Sequence, residues 1–329
     1  MKTKRTAQRS VSGIRATGAV AAVVVLSGAL AACGGDSLEE KGGSGGGGGG
    51  KSIVIGSADF TSHRLLSESY KALLDDAGYN ASIKTVKNRE LYEPALEKGQ
   101  IDVVPEFAAT FAEWLNTKEN GETATIDKPV ASSDPDKTVA ALQKLAKPRG
   151  IEALAVGKAV DQNTFATTKA LAKKHNLKTL SDLGKSGLTV NIAAGVECEE
   201  RPFCAPGLKD KYGIKVGKID PKGVSTPQSK QAVQDGTDQL VLTNSTDTSL
   251  DKFDLVALED DKKLQNADNV LPVVNTKEAG DKKIANALDK LNRTLTTDDL
   301  IAMSKKVDLE RAKPADVVAD YLKEKGLVK

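Results

Sequence analysis

The sequence predicts an α/β protein built from two similar units, each a doubly wound sheet flanked by helices. Three observations predict this fold class. Residues 51–105 show alternating strand and helix patterns, a second such series begins near residue 188, and the C-terminal segment is mostly helical. Strands that alternate with helices favour parallel pairing, with the helices covering the faces of the sheet.

The first unit begins with an apolar run at 51–56 that ends in glycine, which is typical of a buried strand. Apolar residues at helical spacing follow in 65–77, and Gly78 ends this helix. The next predicted elements are a strand at 81–86, a helix at 91–98 capped by Gly99, and a strand at 101–104 stopped by Pro105.

Ligands of doubly wound sheets bind beyond the carboxyl ends of the strands. In the first unit this places residues 57–62 and 106–110 at the expected ligand edge. The later predicted elements are strands at 188–192, 239–243 and 254–258, a helix at 229–235, and C-terminal helices at 288–295, from 296 onward and at 314–322.

The N-terminus predicts export. Basic residues precede an uncharged, mostly apolar segment at 16–32, and small residues lead to Cys33. A transmembrane helix needs about 20 apolar residues, so this shorter run is typical of a cleaved bacterial lipoprotein signal peptide. Cys33 would then begin the mature protein and carry the lipid on the extracytoplasmic face of the cell membrane. An uncleaved anchor and an unmodified secreted protein are the alternatives.

A glycine-rich segment follows the lipidation site. Residues 42–50 are glycine apart from Ser44, and such a stretch does not bury enough surface to fold. We therefore expect residues 33–50 to tether a folded part that starts at Lys51, with a mean reach of about 20 Å.

Composition excludes some classes of function. The 47 Lys and Arg against 45 Asp and Glu argue against a nucleic-acid-binding protein, which normally has a basic excess. With Cys33 lipidated, Cys198 and Cys204 remain, and in an oxidising compartment we expect them to form a disulfide. The alternative is a metal site, but His63 and His175 lack ligand spacing from the cysteines, so we expect no metal and no cofactor.

Six motifs occur in an order that resembles one family. They are 55–61 (IGSADFT), 99–107 (GQIDVVPEF), 245–247 (STD), 258–262 (LEDDK), 295–297 (LTT) and 318–322 (VADYL). Together they resemble the substrate-binding lipoproteins of osmoprotectant ABC importers, which bind glycine betaine, carnitine, choline and related compounds. The resemblance covers nearly all of residues 51–329.

The resemblance implies a periplasmic-binding-protein-like fold, whose two lobes are joined by crossing hinge strands and close around the ligand. The expected partners are a small-molecule ligand, an ABC permease subunit and, through the lipid anchor, the membrane. We expect a monomer that is not an enzyme. The implied division is signal peptide 1–32, lipidated cysteine and tether 33–50, lobe one 51–158, lobe two 159–257, and lobe one again 258–329.

The ligand class implied by the resemblance sets the chemistry of the pocket. A quaternary ammonium has no N–H to donate, so aromatic faces hold it best, at about 0.5–2 kcal/mol per cation–π contact. By resemblance, Phe107 takes a cage position where the family usually has tyrosine, and Phe165 is the next candidate. Asn163, Asn244 and Asp268 are also expected to contact the ligand. Thr110 matches a threonine that can hydrogen-bond a carboxylate, and Arg201 matches an arginine suited to clamping one.

Three positions depart from the family pattern. Ala58 replaces a lysine near the first strand, Asn244 a tyrosine before the STD motif, and Asp268 an aromatic residue. Asn and Asp provide no aromatic face, so two interpretations stay open. Either the ligand is a quaternary amine and Tyr92 or Trp114 completes the site, or the pocket takes another small cationic or zwitterionic nitrogen compound. In the second case Asp268 favours a cation with N–H donors.

Simpler interpretations compete with these assignments. Phe107 and Phe165 could be ordinary core aromatics, Arg201 could pair with neighbouring glutamates on the surface, and Trp114 is expected to pack under the cleft. An exported enzyme is disfavoured, because the sequence has no Gly-x-Ser-x-Gly elbow and no metal-spaced cluster, and His63 has no evident catalytic partner. A solute-sensing lipoprotein that feeds no permease is the other rival.

Overall fold

The computed structural model describes residues 50–329, apart from residues 133 and 267. The described residues form ten strands: β1 (Ser52–Ala58), β2 (Asn80–Val86), β3 (Val103–Phe107), β4 (Ile151–Ala153), β5 (Asn163–Thr168), β6 (Thr189–Ala194), β7 (Lys215–Pro221), β8 (Leu240–Asn244), β9 (Leu255–Leu258) and β10 (Val270–Asn275). The helices are α1 (Thr61–Asp76), α2 (Arg89–Glu97), α3 (Ala108–Asn120), α4 (Ala124–Asp127), α5 (Pro135–Ala146), α6 (Lys169–His175), α7 (Leu180–Ser186), α8 (Ala205–Tyr212), α9 (Pro227–Gln234), α10 (Thr276–Ala279), α11 (Lys282–Thr294), α12 (Thr297–Asp308) and α13 (Pro314–Glu324).

The strands form two five-stranded sheets with the same arrangement, one in each lobe. Sheet one has the order β2-β1-β3-β10-β4, and sheet two has the order β7-β6-β8-β5-β9. In each sheet the first three strands are parallel, and the remaining pairings are antiparallel. The predicted two-lobed α/β fold is confirmed. Each sheet is mixed rather than wholly parallel, because β5 and β10 enter their sheets directly after the chain has crossed between the lobes.

The core of lobe one forms where α1 packs on β1. Ile53 and Ile55 alternate inward along the strand, and Leu66 and Leu73 lie on the facing side of the helix, all of them buried. Each such side chain contributes about 1.5–3 kcal/mol by leaving water. The tight connection from β1 into α1 brings the first turn of this helix to the carboxyl end of the strand, which is the edge where ligands bind.

The core of lobe two contains the disulfide. Cys198 and Cys204 are bonded and buried, and they pack in one cluster with Ile192, Leu208 and Leu242. The predicted pairing is thus present in the structure. It closes a short loop that leads from β6 into α8 and fixes the path of that loop beside the cleft.

The strand predicted to stop at Pro105 continues through it. Pro105 lies inside β3, opposite Pro272 of β10. The carbonyl oxygen of Pro272 accepts the N–H of Leu154, so the backbone polar groups of Pro272 point towards β4. The two prolines therefore oppose each other at a position where an antiparallel pair makes no hydrogen bonds, and neither missing N–H interrupts the ladder between β3 and β10.

The chain crosses between the lobes twice, near residues 154–162 and near 268–269. The two crossings run antiparallel and are bridged at Val160 and Asn269. The first crossing agrees with the predicted boundary at residue 159. The second differs from the predicted boundary at Leu258, because Leu258 pairs with Phe165 inside sheet two and Leu264 still packs in the core of lobe two.

The predicted signal peptide, the lipidation site at Cys33 and the glycine-rich tether lie outside the described residues. Within residues 50–329 that the structure describes, none of the helices has the length and apolar character needed to span a bilayer.

Candidate functional site

A cavity of about 430 Å³ lies between the two lobes. Strand ends border it on both sides: β1 ends at Ala58 and β3 at Phe107 in lobe one, and β7 ends at Pro221 and β8 at Asn244 in lobe two. The cavity therefore occupies the carboxyl edge of the parallel strands of both sheets, as expected for a ligand site in this architecture. Its volume suits a small organic molecule.

Four ring side chains form the wall that lobe one contributes. Phe60 lies between β1 and α1, His63 in the first turn of α1, Tyr92 in α2, and Phe107 at the end of β3. The ring centroids of Phe60 and Phe107 are 6.3 Å apart with an interplanar angle of 27°, and His63 meets Phe60 edge-on at 5.2 Å. Ring pairs at such distances stabilise one another by about 0.5–1.5 kcal/mol. The contacts among the rings therefore help to hold the side chains of this wall in place.

A buried ion pair supports this aromatic wall from behind. The guanidinium of Arg89 donates to both carboxylate oxygens of Glu106, at 2.8 and 2.6 Å, and the Tyr92 hydroxyl donates to the same carboxylate at 2.6 Å. Burial alone would raise the pKa of Glu106, but the Arg89 guanidinium outweighs it and the pKa is lowered. Arg89 also donates to the Thr110 hydroxyl at 3.0 Å. The Arg89–Glu106 pair therefore orients two residues of the cavity lining, Tyr92 and Thr110.

Asp268 lines the cavity and is only 2% exposed. Its Oδ1 accepts the backbone N–H of Thr110 at 2.8 Å, in the first turn of α3. Burial raises the pKa of Asp268 to about 7, while the Thr110 N–H and the Arg89 guanidinium act in the opposite direction. Across the described residues, no Lys, Arg or His side chain forms an ion pair with this carboxyl group.

His63 is a neutral member of the wall. The backbone N–H of Ala58 donates to its Nδ1 at 3.1 Å, which places the proton of the neutral ring on Nε2. Burial lowers the pKa of His63 to about 4, so the ring carries no charge at neutral pH. Its Nε2 is buried and has no hydrogen-bond partner in the described part of the chain.

The wall from lobe two is polar and is largely made of loops. Three amide residues line it, Gln162, Asn163 and Asn244. The side chains of the two asparagines donate to groups of the protein. Asn244 Nδ2 donates to Asp161 Oδ2 at 2.8 Å and to the hydroxyl of Ser62 in lobe one at 3.1 Å, and Asn163 Nδ2 donates to Gln265 Oε1 at 3.3 Å. The Ser62 hydroxyl also donates to Asp161 Oδ2, at 2.5 Å, so Asp161 joins both lobes at the first crossing. Burial raises the pKa of Asp161 despite these neutral donors.

The disulfide loop makes direct contacts across the cleft. Arg201, inside the loop, donates from Nε and Nη2 to the carboxylate of Glu90 in α2 at 2.9–3.0 Å. Two residues before Glu90, the N-cap residue Asn88 donates from Nδ2 to Glu197 Oε2 at 3.3 Å. These four residues, two from each lobe, form what we call the interlobe clasp. Arg201 and Glu90 are about a quarter exposed, so the clasp lies at the rim of the cavity.

Six of the seven residues predicted for the ligand site line this cavity. They are Phe107, Thr110, Asn163, Arg201, Asn244 and Asp268. Their contact with a ligand stays a prediction. The alternative partners expected for Arg201 were its neighbouring glutamates, and the structure pairs it with Glu90 of the other lobe instead.

Phe165 does not line the cavity. It is 1% exposed and packs in the core of lobe two, between Leu242 and Leu258 of the neighbouring strands. Strand β5 begins at the cleft with Asn163 and runs away from it, so two further residues carry Phe165 about 7 Å into the lobe. The structure favours the interpretation of Phe165 as a core aromatic over its assignment to the aromatic cage.

Two wall residues, Phe60 and His63, were not predicted for the site. Both follow β1 at the edge where ligands were expected: Phe60 is the N-cap residue of α1, and His63 lies in the first turn of that helix. Of the two residues expected to complete a quaternary-amine site, Tyr92 lines the cavity. Trp114 is absent from the lining, and its indole N–H donates to Glu93. Among the described residues, no group of three His, Cys, Asp or Glu side chains is arranged to hold a metal.

Comparison with known proteins connects this architecture to transport. The family model described as the substrate binding domain of ABC-type glycine betaine transport system matches residues 51–324. A glycine-betaine-binding protein of Pseudomonas aeruginosa is 24% identical over 289 residues, which is 84% of this chain and 89% of that protein.

Solved structures share the fold at low sequence identity. A glycine betaine/carnitine/choline ABC transporter structure has a TM-score of 0.60 at 18% identity and matches 84% of this chain and 99% of its own. An ABC-transporter choline binding protein in complex with choline has a TM-score of 0.56 at 16% identity, over 84% of this chain and 89% of its own. The family match extends over both lobes that enclose the cavity, and the chain therefore belongs to the family of substrate-binding domains of ABC-type glycine betaine transport systems.

Proposed function

We propose that this chain is the extracytoplasmic binding component of an ABC importer, held at the membrane by a lipid on Cys33. It captures a small quaternary amine of the glycine betaine or choline type and delivers it, chemically unchanged, to a permease. It acts as a monomer, because one chain supplies both walls of the cavity. The family to which the chain belongs supports this proposal.

The observation that carries the proposal is the aromatic wall that faces the cavity between the lobes. Phe60, Tyr92 and Phe107 all line the space, and ring faces are the groups that best hold a methylated ammonium. The interlobe clasp, with Arg201 on Glu90, supports a mechanism in which both lobes enclose the ligand.

Calorimetric titration of the purified chain with choline and with glycine betaine tests this function. We expect saturable one-to-one binding of at least one of them, and recovery of the unchanged compound from the complex by NMR. The Phe107→Ala variant serves as the binding-site control and should bind more weakly with an unchanged far-UV CD spectrum. If no quaternary amine binds at millimolar concentration, the proposal fails.

The proposed anchor has its own test. Expressed from its full sequence in a bacterium that processes lipoproteins, the protein should incorporate radiolabelled palmitate and partition into the detergent phase. The Cys33→Ala variant should lose both properties. Label that persists in the variant would contradict lipidation at Cys33.

A further inference from the structure

Two buried carboxyl groups line the cavity without an ion pair to any described residue, Asp161 and Asp268. Side-chain donors of Ser62, Asn244 and Thr246 satisfy Asp161, whereas Asp268 accepts the backbone N–H of Thr110.

The charged groups beside these two carboxyl groups form ion pairs. Arg89 binds Glu106 behind the aromatic wall, and Arg201 binds Glu90 at the rim. Asp268 is buried like the first pair, yet no ion pair joins it to any described residue. A carboxylate is costly to bury without a counter-ion, so a ligand that supplies a positive charge beside Asp268 removes that cost.

Lysines near the mouth of the cavity do not serve as this counter-ion. Lys87 and Lys222 line the outer part of the space, and both are exposed to solvent. The Nζ of Lys222 lies 3.4 Å from Oδ2 of Asp220, and this carboxylate compensates the charge of the lysine. Exposed ammonium groups are hydrated and screened by salt, so they stabilise an interior carboxylate only weakly.

Two side chains suited to hold a ligand carboxylate, those of Arg201 and Asn244, are occupied within the protein. The guanidinium of Arg201 is taken by Glu90, and the N–H groups of Asn244 by Asp161 and Ser62. A ligand carboxylate has about four acceptor sites to satisfy, and burying it beside another carboxylate adds repulsion. The hydroxyl proton of Thr110 is left as a donor, because its oxygen accepts from Arg89. The Nε2–H of His63 is left as a second donor, and together these two groups satisfy fewer acceptor sites than a carboxylate has.

From this charge arrangement we propose that the site selects a methylated ammonium cation that carries no carboxylate, with Asp268 as its counter-ion and the rings of Phe60, Tyr92 and Phe107 around its methyl groups. This inference builds on the proposed function and narrows it, because zwitterions such as glycine betaine become the disfavoured class. Asp268, which stands where the resembling family has an aromatic residue, is then the residue that determines specificity.

The test compares choline with glycine betaine at pH 8, by calorimetry on the wild-type chain and on Asp268→Asn. The Asn variant keeps the shape and can still accept the Thr110 N–H, so only the charge is removed. We expect choline to bind the wild type at least about tenfold more tightly than glycine betaine, and Asp268→Asn to weaken choline about tenfold while glycine betaine stays within about threefold.

A matched control removes a charge of the same sign from the same lobe. Asp298 is exposed on α12 and away from the cavity lining, so Asp298→Asn should leave the affinity for choline unchanged. Thermal unfolding of both variants checks that each is folded. Tetramethylammonium, which offers only the cation, should follow the pattern of choline across the three proteins.

Three outcomes overturn the inference. Glycine betaine binding as tightly as choline would show that the carboxylate is accommodated, and an unchanged choline affinity in Asp268→Asn would show that the carboxyl group is not the counter-ion. The third outcome uses dimethylethanolamine, whose protonated nitrogen carries one N–H. If it binds better than choline, the preferred ligands are cations with N–H donors instead of fully methylated ones. In each case some amine still binds and the transport proposal stands; absence of binding by all of them refutes that proposal instead.

Discussion

The lobe-one wall of the cleft is built mostly from side chains on strands and helices, whereas the lobe-two wall is built largely from loops. In lobe one the Arg89–Glu106 pair supports the rings, and the backbone N–H of Thr110, at the start of α3, donates to Asp268. In lobe two the disulfide loop contributes Arg201, which reaches across the rim. The difference indicates that lobe one recognises the cation and that lobe two encloses it.

The largest expected effect is on stability and concerns the support of the lobe-one wall. Glu106→Gln leaves the buried Arg89 without its counter-ion, which should cost about 3–5 kcal/mol in the free energy of unfolding measured with urea. Glu90→Gln breaks the partly exposed ion pair to Arg201 and should cost less than about 1 kcal/mol. Equal losses in the two variants would contradict the proposed difference between the walls.

The second prediction separates an aromatic residue of the cleft from one of the core. Phe107→Leu keeps apolar volume but removes a ring face, so choline affinity should fall about 2- to 30-fold. Phe165→Leu, in the core of lobe two, should lower the free energy of unfolding by about 1–2 kcal/mol and leave the affinity unchanged. Weakened binding in Phe165→Leu would return this residue to the site.

These two phenylalanines also show what sequence predicts and what it does not. Strand and helix patterns located β1, α1 and the edge at which Phe107 lies, because burial repeats locally along each element. Phe165 could not be separated from the site in this way, since its depth depends on the direction in which β5 leaves the crossing. The interlobe clasp was equally hidden: Arg201 and Glu90 lie 111 residues apart and meet only when the lobes approach.

The third prediction concerns pH and Asp268. Its pKa of about 7 means that the carboxyl is neutral at pH 6 and ionised at pH 8, and a ligand cation stabilises the ionised form. Choline affinity should therefore rise about tenfold between these values and level off above them. Of the groups that face Asp268, Arg89 and Glu106 stay paired, His63 is neutral above about pH 4, and Asp161 is bound by neutral donors.

Ionisation of the same carboxyl group has the opposite effect on the stability of the ligand-free protein, which falls as the pH rises. Because the folded state raises the pKa of Asp268 from near 4, folded molecules hold this proton longer than unfolded ones, and stability falls as pH rises from about 4 to about 7. Asp268→Asn removes this loss and should flatten the pH profile of choline binding. A profile that stays steep in the variant would assign the titration to another group.

The smallest expected effect is kinetic and concerns the lobe-two wall. Arg201→Gln removes the ion pair of the interlobe clasp, which at a quarter exposure contributes about 1 kcal/mol or less. Choline should therefore dissociate up to about fivefold faster in stopped-flow experiments. Cys198→Ser with Cys204→Ser should act in the same direction by freeing the loop. Lys71→Gln breaks an exposed pair with Asp75 within α1 and should leave dissociation unchanged; a matching acceleration there would remove the clasp from the mechanism.

A crystal structure of the protein with choline tests the central claim most directly. We expect the ammonium nitrogen within about 6 Å of the ring centroids of Phe60 and Phe107, on the side of the cavity where Asp268 lies, with Arg201 still paired to Glu90 across the closed rim. An ammonium bound against the loops of lobe two, away from these rings, would contradict the assignment of recognition to lobe one.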